Sequence, residues 1–114
     1  MRVKDVIELL GAVLITGENH LERKIECAFA SDLMSDVLTV DVPNIMLLTG
    51  MANIQTMRTA EMSDAHVVVL VRNKKASAEM VKIAKECDMV LMEYSGSLYR
   101  ASGILYGAGI KPVY

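Results

Sequence analysis

A chain of 114 residues is large enough to bury a core without disulfides or a structural metal, and it sets the expectation of one domain spanning residues 1–114. A net charge of -2, a pI near 5.6 and no basic run longer than Lys74-Lys75 exclude sequence-general phosphate binding, so neither nucleic acid nor a membrane surface is an expected partner. With 53% hydrophobic residues, 23% charged residues and a mean hydropathy of +0.33, the chain calls for a parallel sheet buried on both faces or for apolar surface shared with a partner.

Val3, Val6, Ile7 and Leu10 recur at helical spacing between Lys4, Asp5 and Glu8, which predicts an amphipathic first helix stopped by Gly11. Ala12 to Thr16 is a short β-like run closed by the turn Gly17-Glu18-Asn19. Ile25 to Ala30 is a second strand, with Phe29 expected in the core. Ser31 to Leu38 has the pattern of a helix capped by Ser31 or Asp32, with Leu33, Val37 and Val40 on one face. Asp41-Val42-Pro43-Asn44 then turns the chain.

Ile45 to Leu48 is too short for a helix and suits a strand buried on both sides; Thr49-Gly50 breaks it, and Asn53 can cap a helix carrying Ile54, Met57, Ala60 and Glu61. Arg58 and Glu61 on that helix are spaced as a surface pair. After Asp64, the valine-rich run His66 to Val71 predicts another central strand, which Arg72-Asn73-Lys74-Lys75 leaves. Ser77 and Glu79 open a helix with Met80, Ile83 and Ala84 inward. Met89 to Tyr94 repeats the strand pattern, and Ser95 or Ser97 caps a last helix with Leu98, Ala101, Leu105 and Ala108 as its stripe. Gly103, Gly107 and Gly109 weaken that helix, which suggests a packing reason such as close helix approach; Lys111 to Tyr114 reads as a tail. Three alternations of strand and helix in the second half predict right-handed parallel βαβ units, an α/β domain of two or three layers with a mainly parallel sheet.

The chemistry of nucleotide hydrolysis or transfer needs a phosphate cradle, and neither G-x-x-x-x-G-K-[ST] nor G-x-G-x-x-G occurs. Nucleophilic catalysis needs a base with a partner, yet His20 reads as a solvated turn residue and His66 as a strand-end residue, neither at metal-ligand spacing. No catalytic residue, metal site or cofactor is expected, and a small enzyme built on Ser95, Ser97 or His66 is the least favoured reading. What can converge lies at the carboxyl ends of neighbouring parallel strands: Thr49, Gly50 and Asn53, then Arg72 and Asn73, then Ser95, Gly96 and Ser97. Backbone N–H groups, hydroxyls and a cation along one crevice would favour a small anionic ligand; the same residues also serve as ordinary caps and turn formers. Cys27 and Cys87, sixty positions apart without a C-x-x-C motif, read as reduced structural thiols. The N-terminus opens straight into a helical pattern with no cleavage site, and no apolar run approaches the ~20 residues that span a bilayer, so a cytoplasmic location is expected.

At Ala30-Ser31-Asp32-Leu33-Met34-Ser35-Asp36-Val37-Leu38, Leu47-Leu48-Thr49-Gly50 and Arg58-Thr59-Ala60-Glu61-Met62, and through the order of its elements, the chain resembles a stand-alone DRTGG domain over nearly all of its length. Thr49-Gly50 matches part of the naming motif, with Met51 where a second glycine would stand. The resemblance implies a fold like the N-terminal, non-catalytic domain of HPr serine kinases. Such domains also occur between CBS domains in regulated pyrophosphatases and beside phosphotransacetylase domains. It further implies a homodimer with sensing or assembly duties, no kinase or other activity of its own, and an adenine nucleotide as a candidate ligand. The competing reading is an interaction subunit of a larger metabolic or redox complex with no ligand, for which the nine methionines would supply an adaptable apolar surface.

Overall fold

The computed structural model describes residues Met1–Tyr114. Its centre is built from the three apolar runs: β3 (Ile45–Thr49), β4 (Val67–Leu70) and β5 (Val90–Glu93) lie parallel, with Leu47 beside Val68 and Val68 beside Leu91. Successive side chains of a strand point to opposite faces, so Met46, Leu48, Val67, Val69, Val90 and Met92 enter one core, and Ile45, Leu47, Val68, Leu70 and Leu91 enter another. Unbroken apolar runs are therefore required here, because both faces are covered. β2 (Cys27–Ala30) joins β3 in parallel, β1 (Val13–Thr16) pairs antiparallel with β5, and the order is β1-β5-β4-β3-β2-β6, with β6 (Lys111–Pro112) outermost.

Helices α2 (Met34–Val37), α3 (Ile54–Met62) and α4 (Ala78–Glu86) pack on one face, and α1 (Val3–Leu10) and α5 (Leu98–Gly107) on the other. The fold is a three-layer α/β sandwich. Its layering follows from the strand order: β2, β3, β4 and β5 step across the sheet in one direction, so their right-handed crossovers share a face. The return from β5 to β6 runs the opposite way, which puts α5 on the far side.

Several expectations change. The Ser31–Leu38 helix shrinks to the single turn of α2: Asp32 is drawn away to β3, Leu33 stays extended and 57% exposed, and Met34, Val37 and Val40 form the buried face. Lys111-Pro112 is a strand, anchored by Lys111 N donating to Glu26 O at 3.2 Å; a proline is tolerated there because nothing pairs beyond it. Phe29 is half-buried, edge-on to Tyr114 at 6.4 Å and 70°, since β6 is too short to cover it. On α5, Ala101 and Leu105 are buried, but Ala108 is exposed and Ile110 takes its place in the core. A Cβ at Gly103 or Gly107 would meet nothing within 4 Å, so no close helix approach explains them. His20 lies in a 3-10 turn (Glu18–His20) with its Nε2 buried, unbonded and 3.7 Å from Asp88. Arg58 and Glu61 are exposed and form no ion pair. Cys27 and Cys87 are free thiols, and burial, with Glu26 second, pushes the Cys27 thiol up from its ordinary value. No helix is long and apolar enough to cross a membrane.

Candidate functional site

Because β2, β3, β4 and β5 are parallel, their carboxyl ends share one edge. Asp32, two residues beyond β2, is the acceptor that ties this edge together. Its Oδ1 accepts from Gly50 N at 2.7 Å and Thr49 Oγ1 at 3.1 Å, and its Oδ2 accepts from Arg72 Nη1 at 2.8 Å. Thr49 Oγ1 in turn accepts from Met51 N at 3.1 Å. The Arg72 guanidinium, then the Gly50 amide, hold the Asp32 carboxyl below its ordinary value; partial burial opposes them and the Thr49 hydroxyl adds to them.

Arg72 reaches Asp32 by lying across Gly50. A Cβ on Gly50 would overlap the guanidinium, so only glycine lets the side chain pass there. Arg72 and Asn73 both have left-handed backbones, φ 60° and 58°, which is a cost for side-chain-bearing residues. Their amides hold the turn in place, Arg72 N donating to Gly96 O at 2.7 Å and Asn73 N to Tyr94 O at 3.1 Å. Strain of this kind, fixed by neighbouring segments, concentrates at functional positions.

The remaining sequence candidates are placed at the same edge in other roles. Asn53 Oδ1 caps α3, accepting from Thr56 N at 2.9 Å and Thr56 Oγ1 at 3.1 Å, and Ser97 Oγ caps α5, accepting from Arg100 N at 3.0 Å. Asn73 contributes through its backbone, and the exposed Ser95 makes no side-chain hydrogen bond. Thr49, Gly50 and Arg72 are thus brought into direct connection, while Asn53 and Ser97 flank them. The other N–H groups in the first turns of α3 and α5 have no intrahelical acceptor, as at any helix start. Arg72 uses only Nη1 within the protein, which leaves Nη2 and Nε as donors.

Sequence reasoning assigned Asp32 to a helix cap and missed it as the hub. The signal was available in β2, which, taken as parallel to β3, carries Ser31-Asp32 to the edge of Thr49-Gly50. Glu93 was missed as well: its carboxylate, 12% exposed at the end of β5, accepts from Ala76 N at 2.8 Å and fixes the approach to α4.

His66 stands at the opposite edge, where β4 begins, roughly 20 Å of strand away from Arg72. Arg23 Nη1 donates to the His66 carbonyl at 3.1 Å, and His66 Nε2 is 3.5 Å from Asp64 Oδ1. Burial, then the Arg23 charge, push the His66 imidazole below its ordinary value, against weaker opposition from Asp64. A Ser95–His66 or Ser97–His66 couple is therefore geometrically impossible. No three His, Cys, Asp or Glu side chains converge as metal ligands. Clefts elsewhere include a polar one of about 330 Å³ beside Arg23 and His66 and an apolar one of about 260 Å³ between α5 and β2.

No family model matches the chain, and no curated protein matches it. Among solved structures, it is similar to the CBS and DRTGG domains of the regulatory region of a Clostridium perfringens pyrophosphatase, complexed with the activator diadenosine tetraphosphate. The TM-score is 0.76 at 9% sequence identity, covering 91% of this chain and 45% of that one, so the chain spans less than half of that structure's length. The likeness is one of architecture, and the fold of this chain is that of a DRTGG-like α/β domain.

Proposed function

We propose that this chain is a non-catalytic regulatory module that senses a small anionic ligand, with an adenine nucleotide as the leading class, at the edge formed by Thr49, Gly50, Asn53, Arg72, Asn73, Ser95 and Ser97. The observation that carries this reading is the Arg72–Asp32 pair. A cation held over a glycine by one nitrogen, between the starts of two capped helices, is a latch that an incoming phosphate can share or open. The helix starts favour negative charge, and Arg72 adds a formal positive charge for it to meet. An anion that draws Arg72 off Asp32 lifts the guanidinium from over Gly50, which gives the ligand different affinity for two states of the edge. The pyrophosphatase regulatory region of the same architecture has a nucleotide activator, which supports the choice of ligand class.

The module acts as a homodimer. Leu33, Leu38 and Met62 are exposed on or beside the packed α2 and α3, at 57%, 51% and 71%, and give self-association an apolar surface. An interaction subunit without a ligand would use the same surface.

The test is a thermal-shift titration of the chain with ATP, diadenosine tetraphosphate and pyrophosphate. A ligand at 100 times its Kd adds about 2.7 kcal/mol, several degrees for a domain of this size. The expected result is a saturable rise that is lost in Arg72→Gln and in Gly50→Val. A flat response, or one that both variants keep, sinks the reading and leaves the interaction subunit.

A further inference from the structure

Gly50 is not the only glycine of the strand edge that a polar side chain overlies. Gly96, three residues beyond β5, carries the Tyr94 hydroxyl in the same way: a Cβ on Gly96 would overlap the phenol oxygen and the ring edge behind it. Tyr94 is 7% exposed and its ring belongs to the core facing α1 and α5. Its hydroxyl has no hydrogen-bond partner in the protein, yet it is not sealed from solvent. A phenol this deeply set ordinarily gives its O–H a partner, and this one ends at the turn that leads into α5.

The two seats have the same construction. A parallel strand ends, a glycine follows, a donor side chain lies on the glycine, and a capped helix begins: Gly50 precedes α3, and Gly96 precedes α5. Gly50 is in phase with Leu48 along its strand, and Leu48 and Tyr94 enter the same core, so both seats lie on the α5 side of the edge. Val71 N donates to Thr49 O at 2.9 Å and Arg72 N to Gly96 O at 2.7 Å, so two consecutive amides of the segment leaving β4 tie one seat to the other. With β4 between β3 and β5, guanidinium and hydroxyl stand two strand spacings apart, ~10 Å.

That separation selects a ligand. One hydrogen bond of ordinary length from each donor leaves ~4–5 Å between the two accepting atoms. A single phosphate tetrahedron is too small to bridge it and satisfies one seat at a time. Two linked phosphates bridge it, one on the free Nε and Nη2 of Arg72 and the other on Tyr94 Oη, with the first-turn N–H groups of α3 and α5 beside them.

We propose, resting on the nucleotide reading of this edge, that its ligand is recognised as a diphosphate: Arg72 holds one phosphate, and the Tyr94 hydroxyl seated on Gly96 reads the presence of a second. Tyr94 then separates pyrophosphate and nucleoside di- and triphosphates from their monophosphate counterparts.

Isothermal titration of the full chain with pyrophosphate, orthophosphate, ADP and AMP tests this. Pyrophosphate and ADP should bind about tenfold or more tighter than orthophosphate and AMP. Tyr94→Phe removes an oxygen that nothing in the protein uses, so the melting temperature of the free chain should not fall. In that variant pyrophosphate and ADP should weaken by about tenfold, the scale of one hydrogen bond to a charged group, while orthophosphate and AMP bind as before. Diphosphates also carry more charge, and Tyr94→Phe leaves every charge in place; a preference that survives it is one of charge alone and overturns the role of Tyr94. Equal affinity for one and two phosphates in the unmodified chain overturns the diphosphate assignment, and the Arg72 edge still stands if Arg72→Gln abolishes binding. Four probes that fail to bind, or binding that Arg72→Gln keeps, remove the edge and the diphosphate together. If Tyr94→Phe does not fold, the Tyr94 ring resonances of the unmodified chain decide: they should shift with pyrophosphate and not with orthophosphate, and any other pattern overturns the assignment.

Discussion

Arg72 and Arg23 sit at opposite edges of one sheet and hold different things. Arg72 bonds a carboxylate across a glycine, with 44% of its side chain in solvent. Arg23 bonds the backbone carbonyl of His66 and is partly desolvated, which lowers its own proton affinity. The first partner is an anion, and another anion can replace it. The second is a carbonyl at the start of a strand, and removing it would disturb the sheet. Helix polarity runs the same way: α3, α4 and α5 start at the Arg72 edge and present N–H groups, whereas α3 and α4 end at the Arg23 edge and present carbonyls. The contrast teaches that a cation marks a candidate ligand site only where its present partner is exchangeable.

The largest expected effect comes from deleting the hub. Asp32→Ala strips an acceptor from Gly50 N, Thr49 Oγ1 and Arg72 at once, and should cost about 1–2 kcal/mol in urea unfolding. The low end is favoured because 37% of the Asp32 side chain is exposed, so solvent screens the ion pair. The carboxyl is held below its ordinary 3.8 in the folded state, so its contribution is complete above that value and is lost as pH falls through the folded pKa. A cost that persists unchanged when Arg72 is also replaced by Gln would show that the backbone amide, and not the latch, carries the stability.

The central sheet was legible because residues 45–48, 67–71 and 89–92 are apolar without alternation, and because Asn53 and Ser97 cap by local rules that hold wherever a helix starts. Asp32 was misplaced for the opposite reason. Its partners are 17, 18 and 40 positions away, and no local pattern distinguishes a capping aspartate from one captured by a neighbouring strand. The strand at Lys111-Pro112 was hidden similarly, since pairing with an edge outweighs the breaking tendency of a proline that faces outward. Arg72 was legible as a cation at a strand end, but its dependence on Gly50 is a steric fact of the folded state.

A smaller effect should appear at the Arg23 edge. His66 holds its proton less tightly in the folded state than its ordinary value of 6.5, so protonation favours the unfolded chain. Its contribution is present above 6.5 and is lost as pH falls through the folded pKa, so stability should decline as pH falls below about 6.5, before Asp32 titrates. Arg23→Gln removes one of the two causes and should move the His66 titration upward, as NMR of the ring protons would read. A titration that stays in place would assign the shift to burial alone and remove the electrostatic link between Arg23 and His66.

The smallest effect concerns how the helices end. α1 and α5 finish at Gly11 and Gly109, with φ of 63° and 105°; α3 and α4 finish at Asp64 and Asp88, with φ of 56° and 54°. All four use the same wrap, in which the next amide donates back five residues: Ala12 to Ile7, Ala65 to Ala60, Met89 to Ala84 and Ile110 to Leu105. Glycine suits this left-handed position at no steric cost, whereas aspartate bears one and also sets a negative charge against the negative end of a helix. Both terms have the same sign, so Asp64→Gly and Asp88→Gly should each stabilise the fold by about 0.5 kcal/mol, or ~2–4 °C in Tm. Asp64→Asn separates them, because it relieves the charge and keeps the side chain. If it recovers most of the gain, the dipole dominates at this edge, as the exchangeable-anion argument for the opposite edge requires. If it recovers none, backbone sterics alone distinguish the two, and helix polarity is too weak here to favour a ligand beside Arg72.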